Sequence, residues 1–396
     1  MPVWHGLSER WREAHDLAVV GIVQEQHRER AALYAQWQGF DWPILWDPFN
    51  TTGADAVPNV YALDEAGIVR AIRPDPATFE DDFLRADFGA EHSTPPFASP
   101  AVQPLLAGAL TCAEGSPEHA QWLALSRRTF APDDHAVLDA DVETLQAFAD
   151  DHEDDASARF QLGVALRLRH DSPARKPGDF QAAVDAWRAA LELRPGEYIW
   201  RRRIQQYGPT LDKPYPFYPW MDEALADLTA RGITPPRLGA RLTEAELAMP
   251  RRGAPPVAAD HAEPSTAGIP IDTGWIEVEA TVAADTTGRS GTARLHLTFR
   301  PTEGVAHWNN EAGPMTVWLV PPTGGSVDRT LVSLPVEGLA ATTSEPRTIE
   351  CEVAVPQDDE ADAAPALTGF ALIDMCSDTD GVCQLLRRDL HVVLTR

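Results

Sequence analysis

Near the C-terminus, Cys376 and Cys383 stand on either side of an Asp380-Gly381 turn signal that favours a hairpin. Thiols on facing arms of a hairpin come within disulfide reach, a Cα separation of about 5.5–6 Å. Such a pair can staple the hairpin. It can also exchange, one thiolate displacing a partner disulfide while the other resolves the mixed disulfide. Arg387 and Arg388 follow on the next strand, where positive charge would favour a thiolate. Four cysteines in 396 residues are too few for a disulfide scaffold. Cys351 alternates with Ile349, Val353 and Val355, so it is expected on an inward strand face as a core thiol. The remaining cysteine, Cys112, lies far from the hairpin in sequence.

Other chemistry finds little support. Asp378-Thr379-Asp380-Gly381 has part of a calcium loop but lacks its first aspartate and terminal glutamate. The 12 histidines are scattered without ligand spacing, so no metal site is expected. There is no G-x-S-x-G, P-loop or dinucleotide fingerprint, and no cofactor is expected. His307-Trp308-Asn309-Asn310-Glu311 forms a polar-aromatic stretch with no ligand assignable from sequence. Sixty acids against 33 bases give a net charge of −27, which repels phosphate backbones and anionic membranes. The longest apolar runs, such as residues 17–23, fall far short of the roughly 18–20 residues that span a bilayer. Met1-Pro2-Val3-Trp4-His5 shows no basic region followed by an apolar one. As written the chain is expected in the cytoplasm, and in the periplasm or outside the cell if the true start lies upstream.

The elements that must position these residues differ along the chain, which reads as a multidomain α/β + α + β protein. Residues 1–88 alternate helical patterns with short apolar runs. Residues 89–135 are a Pro/Ser-rich linker with weak helix signals around 105–110 and 119–126. Residues 136–248 are mostly helical. Residues 249–270, rich in Ala, Pro, Gly and charge, read as a linker with few packed contacts. From 271 to 396 the period switches to two. Ile276, Val278, Ala280 and Val282 share one face. Ala293, Leu295, Leu297 and Phe299 repeat it, backed by Arg294, His296, Thr298 and Arg300. Half-buried antiparallel strands of this kind predict a β-sandwich, closed by a strand near 392–395.

The first unit carries a resemblance. Val20-Gly21-Ile22, a helix from 27 to 38, Pro43-Ile44-Leu45-Trp46-Asp47, and Val57-Pro58 leading to Leu63-Asp64-Glu65-Ala66-Gly67-Ile68 follow one another in order. This series resembles the thioredoxin-like fold, in particular redoxins of the peroxiredoxin and thiol–disulfide interchange type. Residues 17–23 are then a buried parallel strand. The resemblance implies a cis bond before Pro58, and a Cys-x-x-Cys pair at the start of the first helix, often followed by Met-Pro. The chain begins Met1-Pro2, just past where that pair would stand. Either the start is mis-set or the unit lacks its own nucleophile. At the family's active edge, Pro58 would flank a dithiol and Glu25 or His27 could carry a proton. The alternative is that Glu25 and His27 are solvated helix-start residues.

In the helical middle, Leu162-Gly163 and Leu166, then Ala183, Trp187, Ala190-Leu191 and Pro195, resemble one tetratricopeptide repeat, with 171–178 as an insertion. Helices at 143–149 and 221–230 would supply the packing that a lone repeat lacks. Tyr198, Trp200, Arg201, Arg202, Arg203, Tyr207 and Trp220 then form an aromatic, basic island in an acidic chain. Arginines and rings are what binding hot spots use, so a protein partner through the helical region is one expectation. Packing of those rings onto the repeat is the other. The Cys376/Cys383 hairpin resembles that in the immunoglobulin-like domain of transmembrane thiol–disulfide interchange proteins, with six intervening residues where the family has five. That resemblance implies a thioredoxin-like partner for exchange. The reading is a redoxin-like protein associated with thiol–disulfide exchange, and the alternative is a non-catalytic interaction scaffold.

Overall fold

A computed structural model describes residues 2–15, 17–54, 56–88, 113–240, 242–254, 256–259, 261–287, 291–354 and 364–394. It contains both helices and antiparallel sheets. Its contacts divide into two compact units. The first comprises Met1–Arg175, Ala186–Arg203 and Pro219–Arg241, and the second Lys176–Asp185, Ile204–Tyr218 and Leu242–Arg396. Residues 105–110 and Cys112 lie outside the described residues.

The helices are α1 (Pro2–Ala14), α2 (Arg28–Gln38), α3 (Pro117–Phe130), α4 (Leu138–Asp151), α5 (Ala156–His170), α6 (Asp179–Leu193), α7 (Tyr198–Gln205), α8 (Met221–Ala230) and the single turn α9 (Glu244–Leu247). Helix α2 ends where Gly39 takes a left-handed φ of 67°, with Gly39 and Phe40 donating to the carbonyls of Gln36 and Ala35. Helix α8 buries Met221 and Leu228 and ends before Gly232, whose φ is +72°. Asp155 caps α5 through the N–H groups of Ser157 and Ala158. On α4, Asp141 is fully buried and receives the guanidinium of Arg128 at 2.7 Å.

The first unit also holds strands β1 (Gly21–Val23), β2 (Ile44–Trp46), β3 (Tyr61–Leu63) and β4 (Val69–Ile72). β1 pairs in parallel with β2, and β3 pairs antiparallel with β4. In the turn between the last two, the Asp64 carboxylate accepts from the N–H groups of Ala66 and Ile68 and from Arg70. The bond between Val57 and Pro58 is cis. Two expectations need correction. The four strands form two separate pairs, since no ladder among the described residues joins them into one sheet. The run 17–23 is extended but not buried throughout, because β1 is laddered to β2 alone: Gly21 is covered, while Val20 and Ile22 stay about half exposed.

The second unit holds β5 (Ile276–Ala284), β6 (Thr292–Pro301), β7 (Ala306–Asn309), β8 (Met315–Val320), β9 (Ser326–Val327), β10 (Leu331–Leu334), β11 (Thr342–Thr343), β12 (Arg347–Ala354), β13 (Ala366–Ser377) and β14 (Cys383–Val393). One sheet runs β5-β6-β12-β9. The other runs β10-β8-β13-β7-β11, with β14 also on β13. Both sheets feed one apolar core. Leu295, Leu297, Phe299, Cys351 and Val353 enter it from the first, and Trp308, Val317, Leu319, Ala371, Ile373 and Met375 from the second. The period-two patterns at 276–282, 293–299 and 349–353 thus face inward as expected. Cys351 is a buried free thiol, and burial pushes its pKa up.

Two polar expectations change in this unit. Arg294, His296 and Arg300, expected on a solvated face of β6, are buried. The stretch 249–270 makes real contacts: Ala258 donates its N–H to Val327, Arg251 pairs with Glu352, and Thr266 accepts from Arg387.

At Gly369 the backbones of β13 and β8 approach closely. A Cβ built there would lie 2.0 Å from the Trp318 carbonyl oxygen on β8. Gly369→Ala should therefore push β13 off β8 and cost about 1–3 kcal/mol, read as a lower denaturant midpoint.

Candidate functional site

Strand alternation decides what surrounds the C-terminal cysteines. Met375 and Trp308 are partners across β13 and β7, and both are fully buried in the core. Their neighbours Cys376 and His307, also partners, must then face the opposite side of the sheet. Across the other edge Cys376 pairs with Cys383. Ser377 donates its N–H to Val382 at 2.9 Å, so the hydrogen-bonded pair is the next one along. The cysteines occupy a non-hydrogen-bonded pair, where strands approach most closely. Their Cα atoms are 3.9 Å apart and their sulfurs are joined in a disulfide.

The two sulfur positions are not equivalent. Cys376 is 5% exposed, whereas Cys383, at the start of the edge strand β14, is open to solvent. Val305 and Val382, both exposed, flank the hairpin turn. His307 Nδ1 donates to the Asp378 carboxylate at 2.6 Å. His307 and Asp378 are the members that sequence reasoning missed. His307 lay in a stretch of no assignable ligand and Asp378 in the partial calcium-loop pattern, and only the β7–β13 register sets the histidine beside a cysteine.

The arginines expected to favour a thiolate do not flank the sulfurs. Arg388 falls on the opposite face of β14 and is held by Asp272 at 3.1 Å. Arg387 shares the face of Cys383 but lies four residues along, about 13 Å at strand spacing. There it pairs with Asp389 at 2.6 Å and covers the Phe370 ring.

A second concentration of charge lies on the far face of β6 and β12. Arg294 bonds Glu350 at 3.0 Å and Glu352 at 3.3 Å. His296 places Nδ1 2.9 Å from Glu350 and Nε2 2.7 Å from the Tyr207 carbonyl; both partners are acceptors, so both nitrogens donate. Glu352 also accepts from the N–H of Thr210, and Glu350 from that of Ala245. Burial opposes ionisation of Glu350, but His296, Arg294 and the Ala245 N–H hold its pKa below the usual carboxylate range. Lys213, buried nearby, is lowered to about 8 by desolvation and then by Arg294. Every inner position of this network is matched to a partner, which suits a buried structural tie. Among the described residues, no group of three or more His, Cys, Asp or Glu is arranged to hold a metal ion.

The expected active edge of the first unit is placed as follows. Pro58 is exposed. Glu25 accepts from the backbone N–H of Gln26 at 2.7 Å in the loop before α2, whose N-cap is His27. His27 is buried, 3.6 Å from Asp171, and burial followed by the charges of Arg30, Arg167 and Arg203 lowers its pKa well below the ordinary value. It is therefore a neutral interior histidine and not the solvated residue of the alternative reading.

The aromatic, basic island is largely interior. Trp200 stacks on Phe160 at 5.1 Å, and Trp220 stacks on Trp37 at 6.0 Å. Arg203 is buried and donates to the Gln24 and Pro48 carbonyls and the Gln26 side chain, binding the loop that follows β1. Arg202 donates to the Tyr198 hydroxyl, and Arg201 to the Pro195 carbonyl. Tyr207, in the second unit, packs edge-on against Phe180. The residues expected as an exposed hot spot are thus mostly engaged in packing, as amphipathic helices in contact with a core require.

No family model matches the chain, and no curated protein matches it. No helix among the described residues is long and apolar enough to cross a membrane.

Asp212 supplies a pH test of the second unit. Its pKa is raised to about 7, first by burial and then by the neighbouring Asp285, against 3.8 for the free group. The folded chain keeps a proton that the unfolded chain loses over that interval. The contribution of Asp212 to stability is therefore full below about pH 4 and is lost as pH rises through about 7. Asp212→Asn should gain on the wild type between those limits, by up to ~4 kcal/mol, in thermal melts at pH 4 and pH 8.

Proposed function

We propose that the chain is a redoxin-like protein associated with thiol–disulfide exchange, with Cys376–Cys383 as its exchanging pair. The supporting observation is the asymmetry of the disulfide: Cys383 is exposed at a sheet edge and Cys376 is buried. A partner thiolate attacks Cys383 Sγ, the S–S bond breaks, and the electron pair leaves on Cys376 Sγ. A second partner thiol then displaces Cys383 from the mixed disulfide, leaving the partner oxidised and both cysteines reduced. The partner class is a dithiol protein of the thioredoxin-like kind, and exposed Val305 and Val382 give it apolar surface beside the bond. In this reading the first unit is a thioredoxin-like fold, and residues 1–396 hold no Cys-x-x-Cys pair. The cis bond before Pro58 and the order β1-α2-β2-β3-β4 support it. The sequences of α5 and α6 carry the tetratricopeptide resemblance, and the second unit is read as a β-sandwich. The scaffold alternative draws less support, since the rings expected to bind are mostly packed.

Titration against glutathione, with free thiols counted by mass, tests this proposal. An exchanging pair should be reduced at a potential above about −300 mV, below which structural disulfides typically lie. A pair that stays oxidised across the cytosolic glutathione range is a staple, and the proposal then fails.

A further inference from the structure

We infer that His307 is the proton carrier of this exchange and that Asp378 is its positioning residue; the inference rests on the exchange reading above. His307 is the cross-strand partner of Cys376 on the face that carries the disulfide. Partners of this kind have Cβ atoms about 4.5–5.5 Å apart, within reach of an imidazole. The Asp378 carboxylate, 2.6 Å from Nδ1, requires a proton on that nitrogen. The tautomer is thereby set, leaving Nε2 to take or give a proton, and among the described residues Nε2 has no hydrogen-bond partner. The side chain is 27% exposed, so its proton can equilibrate with water.

The covered sulfur is the one that needs such a group. When a partner thiolate bonds to Cys383 Sγ, Cys376 Sγ leaves as an anion in a site where solvent reaches it poorly. The protonated imidazole gives its Nε2 proton to that sulfur and becomes neutral. In the reverse direction neutral His307 takes the proton from the Cys376 thiol, and the thiolate attacks the mixed disulfide. Besides Asp378, the charged groups around His307 are Asp374, two positions along β13 on the same face, Asp380 in the hairpin turn, and Glu303 in the turn before β7. On β14 the nearest charge on that face is Arg387, and β11 presents only Thr342 and Thr343.

The test is stopped-flow reduction of the oxidised full chain by dithiothreitol between about pH 6 and pH 9, for wild type, His307→Gln and Asp378→Asn. The rate per dithiothreitol thiolate should rise toward low pH in the wild type, by roughly 100-fold, the lower end of general acid assistance. His307→Gln should give a flat profile and Asp378→Asn an intermediate one. A His307→Gln profile that superimposes on the wild type overturns the inference while leaving exchange itself intact. Failure of the wild type to be reduced at all overturns both. Should His307→Gln lose its folded circular dichroism, Asp378→Asn decides alone: a weakened pH dependence supports the relay and an unchanged one refutes it.

Discussion

The register of β13 is the constraint on which the second unit depends. This twelve-residue strand ladders to β8, β7 and β14. Its alternation sends Ala371, Ile373 and Met375 into the core and Cys376 to the other face. A slip of one residue would exchange those faces. It would turn Cys376 into the core, expose three apolar side chains and separate Cys376 from both Cys383 and His307. Apolar burial thus fixes the position of a disulfide that contributes nothing to the core itself.

The opposite sheet is tied differently. The far face of β6 and β12 is lined by ions that cannot be solvated, and each is answered by a specific partner. Glu350 gathers Arg294, His296 and the N–H of Ala245, while Glu352 gathers Arg294, Arg251 and the N–H of Thr210. Buried ion pairs add little net stability over apolar packing, but removing one partner strands the other at a cost of several kcal/mol. Such a network specifies which segments cover the sheet more than how tightly they do so. His296 on β6 and Glu350 and Glu352 on β12 thereby bond the segments around 207–213 and 244–251 of the same unit.

Much of this was readable in the sequence wherever period and burial agree. Residues 276–282, 293–299 and 349–353 alternate cleanly, and Gly39, Gly232 and the 64–67 turn punctuate elements as their types require. The solvated face assigned to Arg294 and His296 was misread because a polar residue that faces a partner in the fold looks the same in sequence as one that faces water. The Tyr198–Trp220 cluster was ambiguous for the converse reason, since rings that pack and rings that bind are one composition. The disulfide was legible because its two members are close in sequence. His307 was not, because the β7–β13 pairing joins residues about 70 apart, and no local signal encodes such a register.

The central claim is that the open sulfur receives the attack and the covered one leaves. It is tested most directly by mapping the first mixed disulfide. The oxidised chain is exposed briefly to limiting reduced glutathione, the free thiol is alkylated, and the glutathione adduct is located by peptide mass. The mechanism places glutathione on Cys383 and the alkyl group on Cys376. An adduct on Cys376, or none at all, would contradict it.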